Sequence, residues 1–198
     1  MDDEQLVYLL NRGESKYQAG DFWGAIDDFS NVIEHNDELP IPIPFFAHFG
    51  RGQAKLEIKD YAGAIDDYSE AIRLIGNGFG FSIRGIENSK NDIAMNKNQV
   101  HLSRANAKYA IKDYVGAIQD YSKAIELEID NYQPYAGRGE SRYEIKDYTG
   151  AISDFRKAIE LNPHAAWYYD CCIKAYECLN DYEGVRKMKE KKAIVERR

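Results

Sequence analysis

The side chains of this chain that could do chemistry are three cysteines, Cys171, Cys172 and Cys178, four histidines, and two adjacent aspartate pairs, Asp27-Asp28 and Asp66-Asp67. A cysteine cluster can hold a metal, close a disulfide or supply a nucleophile. On a helix, Cys171 and Cys178 sit two turns apart, roughly 10 Å along the axis, which is too far for a disulfide. Cys171 and Cys172 point in different directions, no second cysteine pair exists, and His164 lies across an expected turn. Zinc ligand spacing is therefore missing, and the cysteines read as small buried fillers. His48 and His101 read as core or edge histidines. Neighbouring aspartates on a helix diverge, so neither pair forms a general acid and base. The run Gly76-Asn77-Gly78-Phe79-Gly80 follows no strand and precedes no Lys-Ser/Thr, so it is not a phosphate loop. No catalytic residue, metal site or cofactor is expected, and the chain reads as a non-enzyme.

The elements that position these residues come from a repeated phrase. Asp21-Phe-Trp-Gly-Ala-Ile-Asp-Asp-Phe29 recurs as Asp60 to Tyr68, Asp113 to Tyr121 and Asp147 to Phe155, and a decayed copy begins at Asp181. The leading aspartates are 39, 53, 34 and 34 residues apart. Each copy reads as two helices. The first carries apolar or small residues at helical spacing, such as Leu6, Leu9, Leu10, Gly13 and Tyr17. The leading Asp suits an N-cap, and the second helix follows as Ala-Ile-x-Asp-aromatic-x-x-Ala-Ile. Small residues recur at Gly13, Gly52, Ala105 and Gly139 in the first helix and at Ala25, Ala64, Ala117 and Ala151 in the second. A helix-interior glycine costs about 1 kcal/mol against alanine, so its recurrence points to close helix packing.

The 34-residue period, the helix–turn–helix unit, the small residues at positions 8 and 20, the aromatic at 24 and the Ala at 27 resemble the tetratricopeptide repeat family, and Asn162-Pro163 matches its inter-repeat turn. The resemblance implies an all-α, right-handed superhelical solenoid. It would be a single array over 1–198, with repeats at 6–39, 45–78, 98–131, 132–165 and 166–198 and insertions at 40–44 and 79–97. The family's aromatic at position 4 is Leu9, His48, His101, Tyr135 and Tyr169 here, and its leucine at position 7 is mostly arginine.

Position 7 is Arg12, Arg51, Arg104 and Arg138, then Cys172; position 23 is Asp28, Asp67, Asp120 and Asp154, then Met188. Both charges are present together or absent together. An ion pair between the two helices of one repeat is expected, since the guanidinium fork grips a carboxylate bidentately. The alternative is inherited repeat sequence with solvated charges.

By the resemblance, first helices line a concave groove. The residues expected there to bind a partner are Tyr17, Phe49, Gln53, Asn106, Tyr109, Glu140, Tyr143, Trp167 and Asp170. Small residues at position 6 (Gly50, Ser103, Gly137, Cys171) are expected to leave room for inserted side chains. Aromatics beside carboxylates complement a protein or peptide with apolar and basic side chains; alternatively, some of these aromatics pack between helices. The family's chaperone-tail clamp needs a set of Lys, Asn and Arg, of which only Asn106 is present, so an acidic-tail clamp is excluded. The function implied is a non-catalytic protein-interaction scaffold. The alternative is a structural, self-assembling subunit, a homo-oligomer joined through its terminal repeats.

The formal net charge of −7 argues against nucleic acid as a partner. The longest uncharged run, Leu39 to Gly50, holds three prolines and is too short for a membrane helix, so no membrane partner is expected. The acidic Met1-Asp2-Asp3-Glu4 start and the clustered cysteines point to a reducing, cytoplasmic location. Pro40 to Pro44 is expected to be extended. Phe79, Phe81, Ile83 and Ile86 are expected either to fold back on the helices or to meet a partner. Arg186 to Arg198, with seven basic and two acidic residues, reads as a solvating cap.

Overall fold

The computed structural model describes the backbone of residues 3–35, 43–76 and 89–197, and the side chains of these residues except 3 and 89–96. The expectations for Pro40 and Pro42, for Phe79, Phe81, Ile83 and Ile86, and for most of the 76–80 glycine run lie outside the described residues. Among the described residues there are ten helices and no strand, and no helix is long and apolar enough to cross a membrane. The chain divides into two compact units, 1–111 and 112–198, with the boundary at the turn inside the third repeat.

The N-terminal unit holds α1 (Asp3–Gln18), α2 (Phe22–Glu34), α3 (Ile43–Glu57), α4 (Tyr61–Gly76) and α5 (Ser89–Ala110). The C-terminal unit holds α6 (Tyr114–Leu127), α7 (Tyr132–Glu144), α8 (Tyr148–Leu161), α9 (Ala166–Cys178) and α10 (Tyr182–Val195). Two boundaries differ from expectation. Ile43 and Pro44, expected in an extended connector, open α3; a proline in the first turn is harmless because its missing N–H would have no helical partner. Helix α5 begins nine residues before the repeat's expected start at 98, so the second half of the 79–97 insertion lengthens that helix.

Every repeat turns by the same device. The leading aspartates Asp21, Asp60, Asp113, Asp147 and Asp181 each accept a bond from the glycine N–H three residues on, at 2.9–3.0 Å. The residue before each is in the left-handed region: Gly20, Lys59, Lys112, Lys146 and Asn180, with φ between 56° and 81°. This twist lets the aspartate N–H close back onto the preceding helix, as in Asp60 to the Lys55 carbonyl at 2.9 Å.

Within each unit, neighbouring helices pack in chain order, and first helices also meet each other, α1 on α3, α3 on α5 and α7 on α9. Among the described residues the second helices make no such contact, so each unit is concave on its first-helix side. The position-24 aromatics form the core. Phe29 is wedged between Gly13 of its own repeat and Gly50 of the next; a Cβ on these would lie 2.8 Å and 2.6 Å from its ring. Tyr68 faces Gly52, Phe155 faces Gly139, and Tyr121 fills the space beside Gly137. Because Phe29 is fully buried, it cannot retreat. Gly50→Ala therefore gains about 1 kcal/mol in helix propensity but overpacks by about 1–3 kcal/mol. A net loss of stability is expected, read as a lower urea midpoint.

The expected ion pair lies inside the repeats. Arg12 grips Asp28 with two bonds (2.8 and 2.6 Å), Arg51 grips Asp67 (Nη2–Oδ1 2.7 Å), and Arg138 grips Asp154 (3.0 and 2.7 Å). Two further members of this cluster, not expected from the sequence, recur in it visibly. A base at position 11 adds a second cation: Lys16 on Asp28 at 2.9 Å, Lys55 on Asp67 at 2.8 Å and Arg142 on Asp154 at 2.7 Å. A serine at position 25 ties each arginine to the preceding repeat: Arg51 to Ser30, Arg104 to Ser69 and Arg138 to Ser122, each 3.0 Å. His48 adds a third contact to Asp67, at 3.0 Å.

Burial pushes the Asp67 carboxyl up, but hydrogen bonds from His48, Arg51 and Lys55 outweigh it and hold the group far below the usual carboxylate range. Asp28 is lowered too, its burial outweighed by Arg12 and Lys16. A depressed folded pKa stabilises above the unfolded value of about 3.9 and is lost as pH falls through the folded pKa. These two carboxylates should therefore contribute constant stability down to about pH 5 and lose it below about pH 4. Asp67→Asn, which leaves buried cations uncompensated, should cost about 3–5 kcal/mol at neutral pH and flatten the acid limb. Urea unfolding on either side of that window measures both.

Candidate functional site

The residues expected to bind a partner all lie on first helices and fall into two sets, one per unit. In the N-terminal unit, Tyr17 closes the last turn of α1 and packs against Phe22 at 5.7 Å. Burial, with Glu57 and Glu14 nearby, raises its hydroxyl pKa. Phe49 on α3 stacks on Phe45 at 6.1 Å and meets Tyr68 at 6.0 Å, so much of its face belongs to the core. Gln53 beside it is half-buried, as is Tyr109 on α5, while Asn106 is exposed.

In the C-terminal unit, α7 and α9 bring two of the four expected residues, Glu140 and Trp167, into contact, with Tyr143 about one helical turn further along α7. Trp167, 57% exposed, directs its indole N–H at Glu140 Oε1 (3.5 Å) and carries the Lys174 ammonium over its ring at 5.6 Å. Burial raises the Glu140 pKa from its ordinary value, Trp167 opposes this, and Glu144 adds to it. No cation pairs with Glu140 among the described residues. Tyr143 is half-buried edge-on to Tyr148 at 5.4 Å, with its hydroxyl 3.6 Å from Cys178 Sγ. That contact and partial burial push Tyr143 up to about 12. Asp170 stands apart from this group, since both its oxygens are held by Lys192 of α10 at 2.7 and 2.8 Å. Its charge is spent inside the terminal repeat.

Two expectations are overturned. The small residues at position 6 do not leave room for a ligand: Gly50 and Gly137 abut Phe29 and Tyr121, and Ser103 and Cys171 are buried. The position-24 aromatic needs a slot on both flanks, and position 6 of the following repeat supplies the second. Cys178 is not a buried filler either, being exposed beside Tyr143, whereas Cys171 and Cys172 are buried. Burial pushes the Cys171 thiol up to about 12 and Cys172 to about 11, so both stay protonated at neutral pH. Among the described residues no three His, Cys, Asp or Glu side chains converge as a metal ion would need.

The Glu140–Trp167 contact is open to a direct test. In a Trp23→Phe background, Trp167 emission should titrate with a midpoint above the ordinary glutamate value of about 4.3, and Glu140→Gln should abolish that titration.

A tetratricopeptide repeat model matches residues 10–78, and a second model of that family matches 132–164, together just over half of the chain. A search of the curated proteins finds no match. Among solved structures, the chain is similar to a MamA protein: 19% identity, TM-score 0.82, covering 99% of this chain and 94% of that one. A MamA fragment, 41-end, from Desulfovibrio magneticus RS-1 gives 15%, 0.79, and 100% and 97% coverage. YrrB, described as a TPR protein with an unusual peptide-binding site, gives 14%, 0.74, and 94% and 84%. At such identities the likeness is one of fold.

Proposed function

Because the chain belongs to the tetratricopeptide repeat family, we propose that it is a non-catalytic protein-interaction scaffold, a single array over 1–198, whose first-helix faces bind a peptide or helical segment with apolar and basic side chains. The observation that carries this reading is Glu140. It is a partly buried carboxylate with a raised pKa, no paired cation among the described residues, and Trp167 and Tyr143 on the same face. An incoming Lys or Arg would relieve the cost of its burial, and the flanking aromatics offer large contact area at low entropic cost. Tyr17, Phe49, Gln53, Asn106 and Tyr109 extend the same chemistry on the N-terminal unit. Asp170, already neutralised by Lys192, has the weakest claim of the nine. The peptide-binding site described for YrrB supports the class of partner. The cytoplasm is the proposed location, on the strength of the clustered free thiols.

A second reading, self-assembly through the terminal repeats, is favoured by the apolar side chains exposed there. Val7 (42%) and Tyr8 (62%) lie on α1, and Tyr182 (76%) and Ile194 (58%) on α10. Light scattering across a concentration series separates the two.

Fluorescence anisotropy with a labelled Lys/Leu peptide tests the first reading. Binding should weaken with salt, and Glu140→Gln and Tyr143→Ala should each weaken it roughly tenfold. Unchanged affinity in both variants would remove the site.

A further inference from the structure

The second helices of each unit stand further apart than the first, and between α8 and α10 this leaves a cavity of about 870 Å³. Ile152, Ile159 and Met188 line it, with Arg156, Lys157 and Lys191. The last repeat breaks the pattern of the others here. At the junctions before it, the second helix offers a serine, the next first helix offers an arginine, and a buried aspartate neutralises that arginine. At this junction the serine has become Arg156, the arginine Cys172, and the aspartate Met188. The cation has crossed from the interior of the helix pair to the cavity wall, and the carboxylate that would neutralise it is gone.

The remaining charges sharpen the asymmetry. Two carboxylates, Glu160 and Asp154, also line the cavity, but each is already paired: Lys157 holds Glu160 at 2.8 Å, and Arg138 holds Asp154 at 2.7 Å. Arg156 and Lys191 are both exposed, and among the described residues neither has a carboxylate within ion-pair distance. Two cations without a neighbouring carboxylate thus flank the exposed edges of Ile152, Ile159 and Met188, of which the first and last are mostly buried, in a cavity large enough for several side chains.

We propose that this cavity is a second binding site, for an acidic peptide segment whose carboxylates flank an apolar side chain. The carboxylates pair with Arg156 and Lys191, and the apolar group covers Ile152, Ile159 and Met188, where methionine adapts to the shape it meets. A free anion would gain nothing from that wall, so the apolar contact selects a peptide over a simple ion. The ligand is opposite in charge to the one proposed for the first-helix faces, and the site does not depend on that proposal.

The test is anisotropy of the full chain with a fluorescein-labelled Glu-Leu-Glu-Glu-Leu-Glu peptide. The double variant Arg156→Ser/Lys191→Gln changes only exposed side chains and should weaken binding roughly tenfold or more. Met188→Asp, which restores a carboxylate, should weaken it similarly where its melting curve shows a folded chain. Tyr143→Ala should leave this peptide's affinity unchanged. The proposal fails if no binding is seen at millimolar protein, or if the double variant binds as the original does. It fails equally if a Glu-Ser-Glu-Glu-Ser-Glu peptide binds as well, which would make this an anion site only. A concentration-dependent mass that the double variant abolishes would make the occupant a second copy of the chain, and would also overturn it.

Discussion

A carboxylate buried between two helices is tolerable only if its cations come with it. Asp28, Asp67 and Asp154 are almost wholly excluded from water, and each meets an arginine fork and a second base one helical turn away. Such a group need not add net stability, because desolvation offsets much of the attraction. Its effect is on geometry. Sliding either helix along the other would strand a buried charge, so one register of the pair is strongly preferred. The arginine then extends the constraint to the preceding repeat by donating to a serine there, at 3.0 Å. One polar cluster therefore sets both the spacing inside a repeat and the step to its neighbour.

The aromatic at position 24 sets the distance. Its ring fits only because glycine or another small residue stands on each side, one from its own repeat and one from the next. The outcome reaches the candidate site directly. Position 6 faces the preceding aromatic and is closed to ligands, so the proposed partner surface consists of longer side chains rising around it: Trp167, Glu140 and Tyr143 on the C-terminal unit, and Tyr109 and Gln53 on the N-terminal one. Packing thus decides which side chains remain to meet a partner.

The last repeat departs from these rules. With Cys172, Met188 and Tyr176 in place of arginine, aspartate and lysine, it holds itself together by apolar burial, with Cys172, Ile173, Val185 and Met188 in one cluster. Lys192, on the basic C-terminal stretch, takes up the Asp170 carboxylate. The charge left over, on Arg156 and Lys191, belongs to the second-helix side. An acid without a counter-ion on one face and bases without counter-ions near the other give the C-terminal unit two chemically different surfaces.

Much of the fold was legible in the residues alone. The recurring Asp-x-x-Gly turn, the paired arginine and aspartate, and the alternating small and aromatic positions each state a local requirement: a cap, a buried charge that needs its partner, a ring that needs a slot. Such requirements repeat with the sequence, so one copy explains the next. The lysine at position 11 and the serine at 25 were equally visible as repeats, but nothing local says what they bond to. The candidate site was less legible, because exposure is a property of neighbours distant in sequence. Only the folded chain shows that Gly50 lies against Phe29, that Asp170 is spent on Lys192, and that Glu140 keeps an uncompensated charge beneath Trp167. The chain's own periodicity determined helices, turns and pairing; tertiary packing alone decided which side chains were left unburied and unpaired, because that depends on what each face meets rather than on what it is made of.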